Sequence, residues 1–334
     1  MKPWREDPRR GTGKGAEGAR GPSASRVSAA AGIARPEQTS GLPSVGIVGA
    51  GAVGTALGVA ISRAGWPVNA FSTRDPGRRD RFRRLVPGAA ALMEPEAVVN
   101  VVDLAILAVP DDAIAEVVGP IRLYGGQALV HTSGLLGAEV LEPARAAGTH
   151  LGAFHPLVSF TADVDRSVEA LRGATVALEG DDRLMGLLAD LAEAIGGVPV
   201  RLPPGSKAAY HTAATLASGG LVALLDAIAA LGAAMGMDES GSLAIYGRLL
   251  EQTLANARRQ GIAAALTGPV TRGDAGTVEA HLDAIRRLAP DVAGLYVAAV
   301  EREARIARRR GAIDDAQLDR LLASLAKDSR PGTI

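Results

Sequence analysis

The stretch from Ser44 to Asp75, SVGIVGAGAVGTALGVAISRAGWPVNAFSTRD, constrains the fold of this chain more than any other. Val45 to Val48 form a short apolar run of the kind that makes a buried strand. The turn Gly49-Ala50-Gly51-Ala52-Val53-Gly54 follows, with the spacing G-x-G-x-x-G. An Ala/Leu/Val-rich segment of helical length continues to about Ala64, Gly65 stops it, and Pro67 to Phe71 starts a second strand. A strand, glycine turn, helix and strand in this order are the context in which such a turn binds a dinucleotide. Gly49 allows the tight turn, Gly51 lets the backbone approach a pyrophosphate, and Gly54 lets the helix pack on the strand. Free N–H groups at the helix start then face the phosphates. The six residues from Gly49 to Gly54 are therefore the expected cofactor cradle.

The end of the second strand bears on which dinucleotide is held. A carboxylate there holds a ribose 2′-hydroxyl. Here the positions are Ser72, Thr73 and Arg74, and Asp75 comes one place late. Two hydroxyls and a guanidinium suit a 2′-phosphate, since Arg offers forked donors to phosphate oxygens. The pattern favours NADP(H); the plainer reading is a solvated polar loop.

Strand-like runs recur at Leu104 to Val109, Ala128 to His131, Gly152 to Phe160, Thr175 to Leu178 and Val198 to Leu202, with helical segments between them. Alternation of this kind implies an α/β fold with a mostly parallel sheet. After Pro203-Pro204-Gly205 the pattern becomes almost wholly helical. Lys207 to Met235 is apolar nearly all round, so one long helix buried on most faces is expected there, and a second subunit is expected to cover it. Residues 1–42 are rich in Gly, Arg, Ser, Pro and Ala without apolar periodicity, with eight basic and four acidic residues, and are expected to form a disordered tail or an over-extended start. The expected organisation is a tail over 1–42, a dinucleotide-binding Rossmann domain over 43–203 and a helical domain over 204–325.

Composition narrows the function. The 334 residues carry a formal net charge of zero, so nothing global points to nucleic acid or an anionic membrane. With no cysteine, disulfides, thiolate catalysis and Cys-ligated metals are excluded. No 18-residue stretch reads as strongly apolar throughout; Ala208 to Leu225 comes nearest and is diluted by His211, three hydroxyl residues and two glycines. No His/Asp/Glu cluster has metal-ligand spacing, and no metal is expected. A small-molecule substrate and a cytoplasmic location are expected, with no nucleic-acid or membrane partner.

Candidate chemistry lies at strand ends and at the long helix. Lys207 and His211 are four apart and share a helix face at the hinge, where a cleft between the domains is expected. A lysine there could donate a proton after hydride transfer, with His211 orienting it; a solvated lysine and a satisfied histidine are the plainer alternative. His155, before Pro156, could face a ligand or hydrogen-bond its own loop. Val109 and Pro110, and Thr132 and Ser133, fall where a nicotinamide would lie, with His131 and Ser159 toward the substrate. Arg272, in LTGPVTRGD, could clamp a substrate carboxylate, or could pair with Asp274 in a helix connector.

The glycine unit, LAILAVPDDAI, HTSG, HPLVSF and LTGPVTRGD together resemble bacterial Rossmann-like proteins whose C-terminal half is domain of unknown function 2520, over about Ser44 to Gly311. That group resembles the 6-phosphogluconate dehydrogenase-like superfamily, whose members share an NAD(P)-binding domain and an all-helical, often dimerising second domain. In its hydroxyacid dehydrogenases a catalytic Lys is followed four residues later by Asn; Lys207 matches the Lys, and His211 departs from the Asn. The resemblance implies a homodimeric NADP(H)-dependent oxidoreductase acting on a small carbonyl or imine compound, with a ketopantoate-like 2-oxo acid as one candidate. A prephenate-dehydrogenase-like or deazaflavin-linked reductase and a non-catalytic NADP-binding sensor are the alternatives.

Overall fold

A computed structural model describes residues 41–326. The expected tail over 1–42 lies almost wholly outside them. The chain divides into two compact units, one ending at Ala214 and the other beginning at Thr215.

The first unit opens with β1 (Val45–Val48), whose residues are all buried, and α1 (Ala52–Arg63). Then come β2 (Val68–Ser72), α2 (Pro76–Leu85), β3 (Ala90–Leu92), α3 (Pro95–Asn100), β4 (Leu104–Leu107), α4 (Asp111–Val118) and β5 (Ala128–His131). After a 3₁₀ segment over Ala138–Ala144 come β6 (His150–Pro156), α5 (Val164–Glu169), β7 (Thr175–Gly180), α6 (Asp182–Ala194) and β8 (Val198–Arg201). They form one eight-stranded sheet in the order β3-β2-β1-β4-β5-β6-β7-β8. Every pairing is parallel except β6 with β7. The order reverses between β1 and β4, so the crevice for a ligand opens at the carboxyl ends of those two strands. Apolar clusters lie on both faces. One includes Ile47, Leu57, Phe71 and Phe82, the other Ile114, Leu129 and Leu151. Burial on both faces is what continuous Val/Ile/Leu strands require.

The glycines of the turn have distinct reasons. Gly49 has φ +98°, and a Cβ there would stand 2.4 Å from the Ala108 carbonyl oxygen. A Cβ on Gly54 would stand 1.9 Å from the Gly49 oxygen. Side chains at either position would force the turn away from β4.

The run from Lys207 is two helices, α7 (Lys207–Ala217) and α8 (Gly219–Ala233), separated at Ser218. Ser218-Gly219-Gly220 is poor helix sequence, which accounts for the interruption of the single helix expected there. Within the single chain the run is little buried: of α8 only Ala227 and Gly232 are buried, while Val222 is 64% exposed and Leu216 of α7 68%. By length and composition alone, Lys207–Ala233 would be enough to cross a membrane; it contains the stretch Ala208 to Leu225 that the sequence reading gives as the nearest candidate. Its first two turns, however, carry Lys207, Tyr210 and His211, which are engaged with the sheet, as described below. The division between units falls at Ala214/Thr215, inside α7.

The second unit continues from α8 with α9 (Glu239–Gln260), α10 (Ile262–Ala265), α11 (Ala275–Leu288), α12 (Ala293–Arg309) and α13 (Asp315–Ala326). Asp238 caps α9 by accepting from the Gly241 N–H at 2.7 Å, and Gly261, at φ +86°, ends it. Val278, Leu282, Val300, Ala304 and Leu321 form its main core, and Ala227, Ile285 and Val292 a smaller one.

Candidate functional site

Two features of the first unit lie at carboxyl ends of strands: the glycine turn after β1, and a polar cluster after β4, β5 and β6. The turn is built to receive an anion. Gly51, the N-cap of α1, supplies no side chain to cap it, so the first-turn N–H groups of α1 have no capping partner from it. A Cβ on Gly51 would meet nothing nearer than Arg78 Nη1 at 4.0 Å. That open space belongs to a cavity of about 260 Å³ lined by Gly51, Ala52, Thr55, Arg78, Arg81 and Phe160, among others. Amide donors, a gap that a Cβ would fill and two guanidiniums fit a dinucleotide pyrophosphate.

Ser72 is buried and its carbonyl accepts from the Gly49 N–H at 2.9 Å, so it belongs to the turn. Thr73 accepts at its carbonyl from Arg79 Nη2 at 3.1 Å, and Arg79 Nε is buried without a hydrogen-bond partner. Arg74 is exposed just beyond. Asp75, the late carboxylate, is the N-cap of α2, accepting from the Arg78 N–H at 2.9 Å. Its capping role explains why it stands one place past the ribose position. The sequence reading does not single out Arg78 and Arg81, which line the cavity at Gly51. The signal for them is their place in α2 directly after Ser72-Thr73-Arg74.

The polar cluster begins with His131, at the end of β5. Its ring is fully buried. Nδ1 accepts from the Ser133 N–H at 3.2 Å and Nε2 donates to the Gly137 carbonyl at 3.0 Å. Burial holds its pKa down at about 4, so the ring is neutral. Both nitrogens being used, His131 shapes the loop from 131 to 137 and, as placed, offers no atom to a substrate, contrary to its expected role. Ser133 likewise turns inward. Its hydroxyl donates to Asp111 Oδ2 at 2.7 Å and accepts from the N–H groups of Leu135 and Leu136, at 3.1 and 2.9 Å. Thr132 continues the sheet, its N–H donating to the Leu107 carbonyl at 3.0 Å. Val109 stands against the glycine turn, its Cγ1 3.0 Å from where a Cβ of Gly49 would lie, and Pro110 is the N-cap of α4.

Lys207 is the buried cation of this cluster, 3% exposed, with Nζ donating to the Ser133 carbonyl at 2.5 Å. Burial lowers its pKa to about 8, against the opposing charges of Glu179, Asp111 and Glu139. The solvated lysine of the plainer alternative is thus set aside. One turn on, Tyr210 meets His155, its hydroxyl 3.0 Å from Nδ1, with the rings edge to face. The His211 ring also lies edge to face with His155, centroids 6.0 Å apart. Burial first, then the charge of Lys207, lowers His155 to about 4. Gly134 closes the floor: a Cβ there would stand 2.3 Å from His211 Nδ1 and 2.8 Å from His155 Nε2. The structure therefore joins Lys207, His211 and His155 and adds Tyr210 and Asp111. Tyr210 shares the face of Lys207 by its i,i+3 spacing, which could have identified it.

Of the remaining expected residues, Ser159 belongs to the first unit and Arg272 and Asp274 to the second. Ser159 is exposed in the loop after β6. Asp274 is the N-cap of α11, accepting from the Thr277 N–H at 3.0 Å and hydroxyl at 2.7 Å, and the Arg272 carbonyl accepts from Gln317 at 3.2 Å. Asp274 thus caps a helix of the second unit, and the Arg272 backbone is tied to α13.

Residues 29–156 match the model of a Rossmann-like domain, and residues 174–303 match a domain of unknown function, DUF2520. A comparison with curated proteins gave no match. Among solved structures, a Thermotoga maritima protein is similar at 26% identity and TM-score 0.61, over 80% of this chain and 99% of its own. A Bacteroides fragilis protein described as a candidate NADP oxidoreductase is similar at 20% identity and TM-score 0.66, over 79% and 98%. A reductive aminase of Aspergillus terreus, solved with NADPH and ethyl-5-oxohexanoate, is similar at 18% identity and TM-score 0.62, over 83% and 98%.

The buried neutral His131 makes stability depend on pH. The unfolded chain takes up a proton near 6.5 and the folded chain only near 4. Stability is therefore full above 6.5 and falls as pH drops toward 4. Between pH 7 and 4.5 this residue should account for about 2–3 kcal/mol of lost stability. In urea unfolding at those two pH values, His131→Gln should lose that much less than wild type. An equal loss in both proteins would show that His131 is not held neutral.

Proposed function

We propose that this protein is an NADP(H)-dependent oxidoreductase that moves a hydride to or from a small carbonyl or imine carbon, with Lys207 as the proton donor in the reducing direction. The observation that carries the reading is a buried lysine at the carboxyl ends of β5 and β6, in the same sheet whose β1–α1 turn is open to a pyrophosphate. The bound cofactor would supply the hydride. Gly49 to Gly54, with Arg78 and Arg81, would hold its phosphates, and Arg74 would meet the 2′-phosphate.

Hydride addition leaves negative charge on oxygen, or a basic nitrogen, and a positioned ammonium stabilises the charge and delivers the proton. A pKa of about 8 lets Lys207 give up that proton near neutral pH and recover it from solvent. His155 and Tyr210 stand beside it as a hydrogen-bonded pair able to orient a polar substrate. The similarity to a reductive aminase and to a candidate NADP oxidoreductase supports this class. A 2-oxo acid of the ketopantoate type and an imine are the two substrate types to test, by NADPH oxidation over small oxo acids and imines.

We further propose a homodimer sealed by the second unit. Exposed Val222 of α8 and Ile245, Leu249 and Leu254 of α9 are the apolar surface such a partner would cover. Protein recovered from the cytoplasmic fraction should run as a dimer in light scattering at micromolar concentration; a monomer would refute the assembly.

For the cofactor, NADPH should bind at least tenfold more tightly than NADH, a difference of about 1.4 kcal/mol. Arg74→Ala should remove most of the gap, read by fluorescence titration. Equal affinities in wild type would overturn the NADP(H) assignment.

A further inference from the structure

Asp111 lies in the first turn of α4, directly after the β4 strand end that bounds the glycine turn. Its carboxylate accepts the Ser133 hydroxyl proton at 2.7 Å. Ser133 is a hub with every polar atom engaged. Its N–H goes to His131, its hydroxyl joins Asp111, Leu135 and Leu136, and its carbonyl receives Lys207 Nζ at 2.5 Å. Two hydrogen bonds and one residue thus separate the Asp111 carboxylate from the lysine ammonium. The negative charge itself is favoured at a helix N-terminus.

We propose that Asp111 is a positioning residue for Lys207, acting through Ser133, and that it ties the lysine to the strand end where the cofactor would lie. Loss of the carboxylate removes the acceptor of the Ser133 hydroxyl proton, leaves only the Leu135 and Leu136 N–H groups on that oxygen, and lets the loop from 131 to 137 shift, carrying the carbonyl that holds Nζ. A displacement on the order of 1 Å at a reacting group can cost about 100-fold in rate. The charge acts as well. The groups facing Lys207 are Glu179 of β7, Glu139 of the 3₁₀ segment, Asp111 of α4, and the rings of His131 and His155. Among these the carboxylates favour the ammonium form, so removing one disfavours it.

The two contributions separate by substitution. Asp111→Asn keeps an acceptor for the Ser133 hydroxyl and loses the charge; Asp111→Ala loses both. The inference rests on Lys207 as proton donor, so the first readout avoids turnover. The pH dependence of acetylation of Lys207 is followed by mass spectrometry on the full chain. The midpoint should lie near 8 in wild type and at lower pH in both variants. With a substrate in hand, Asp111→Ala should lose kcat by roughly 10- to 100-fold at every pH while NADPH affinity stays within about threefold. Asp111→Asn should approach wild-type kcat at pH below its lysine midpoint, a recovery that a merely structural role would not give. If Asp111→Ala does not fold, Asp111→Asn still decides the matter. An unchanged acetylation midpoint in Asp111→Asn, or wild-type kcat in Asp111→Ala, overturns the proposal. If instead Lys207→Met turns over normally, the reading of Lys207 as proton donor fails, and the acetylation midpoints still report whether Asp111 acts on it.

Discussion

The hydrogen bond from Lys207 Nζ to the Ser133 carbonyl joins α7 to the end of β5, and the polar architecture of the first unit follows from it. An ammonium taken out of water needs compensation, or it neutralises. Here one carbonyl and the surrounding carboxylates compensate in part, leaving the lysine able to change protonation near neutral pH. The same burial keeps His131 and His155 neutral beside the lysine. Gly134, without a side chain, lets His155 and His211 approach this loop.

The glycine turn and the lysine cluster meet through β4. A Cβ on Gly49 would collide with Ala108 and Val109, and two residues later the Asp111 carboxylate accepts from Ser133. A cofactor seated on the turn and a lysine seated on Ser133 therefore share one short rigid segment. This is the kind of support a site needs if reacting groups are to be held to within fractions of an ångström.

The glycine unit was legible in sequence because each glycine answers a local demand: a positive φ at 49, open space at 51, contact with a carbonyl at 54. Helical spacing puts Lys207 and His211 on one face but leaves a solvated lysine open, and the family resemblance is what singles out Lys207. What sequence could not show depends on contacts between distant residues. Ser133 reads as a hydroxyl at a ligand-facing strand end, yet Asp111, 22 positions earlier, draws it inward. His131 reads as a candidate ligand group until both its nitrogens are seen to be used. Arg78 and Arg81 do not stand out in sequence because the loop holding Phe160 to Ala162 comes from far along the chain. The three residues of β3 are too few to carry a periodic signal. The apolar run after Lys207 predicted burial; composition says that such a surface should be covered and leaves open what covers it.

The central claim is that Lys207 delivers the proton and the glycine turn holds the cofactor, so the two functions reside in separable groups. The most direct test is Lys207→Met, which keeps much of the aliphatic stem. NADPH affinity and turnover are measured together on the best substrate found by NADPH oxidation. NADPH affinity should be unchanged, with turnover reduced by about 10²–10⁴-fold. Turnover of Lys207→Met at the wild-type rate would contradict that claim.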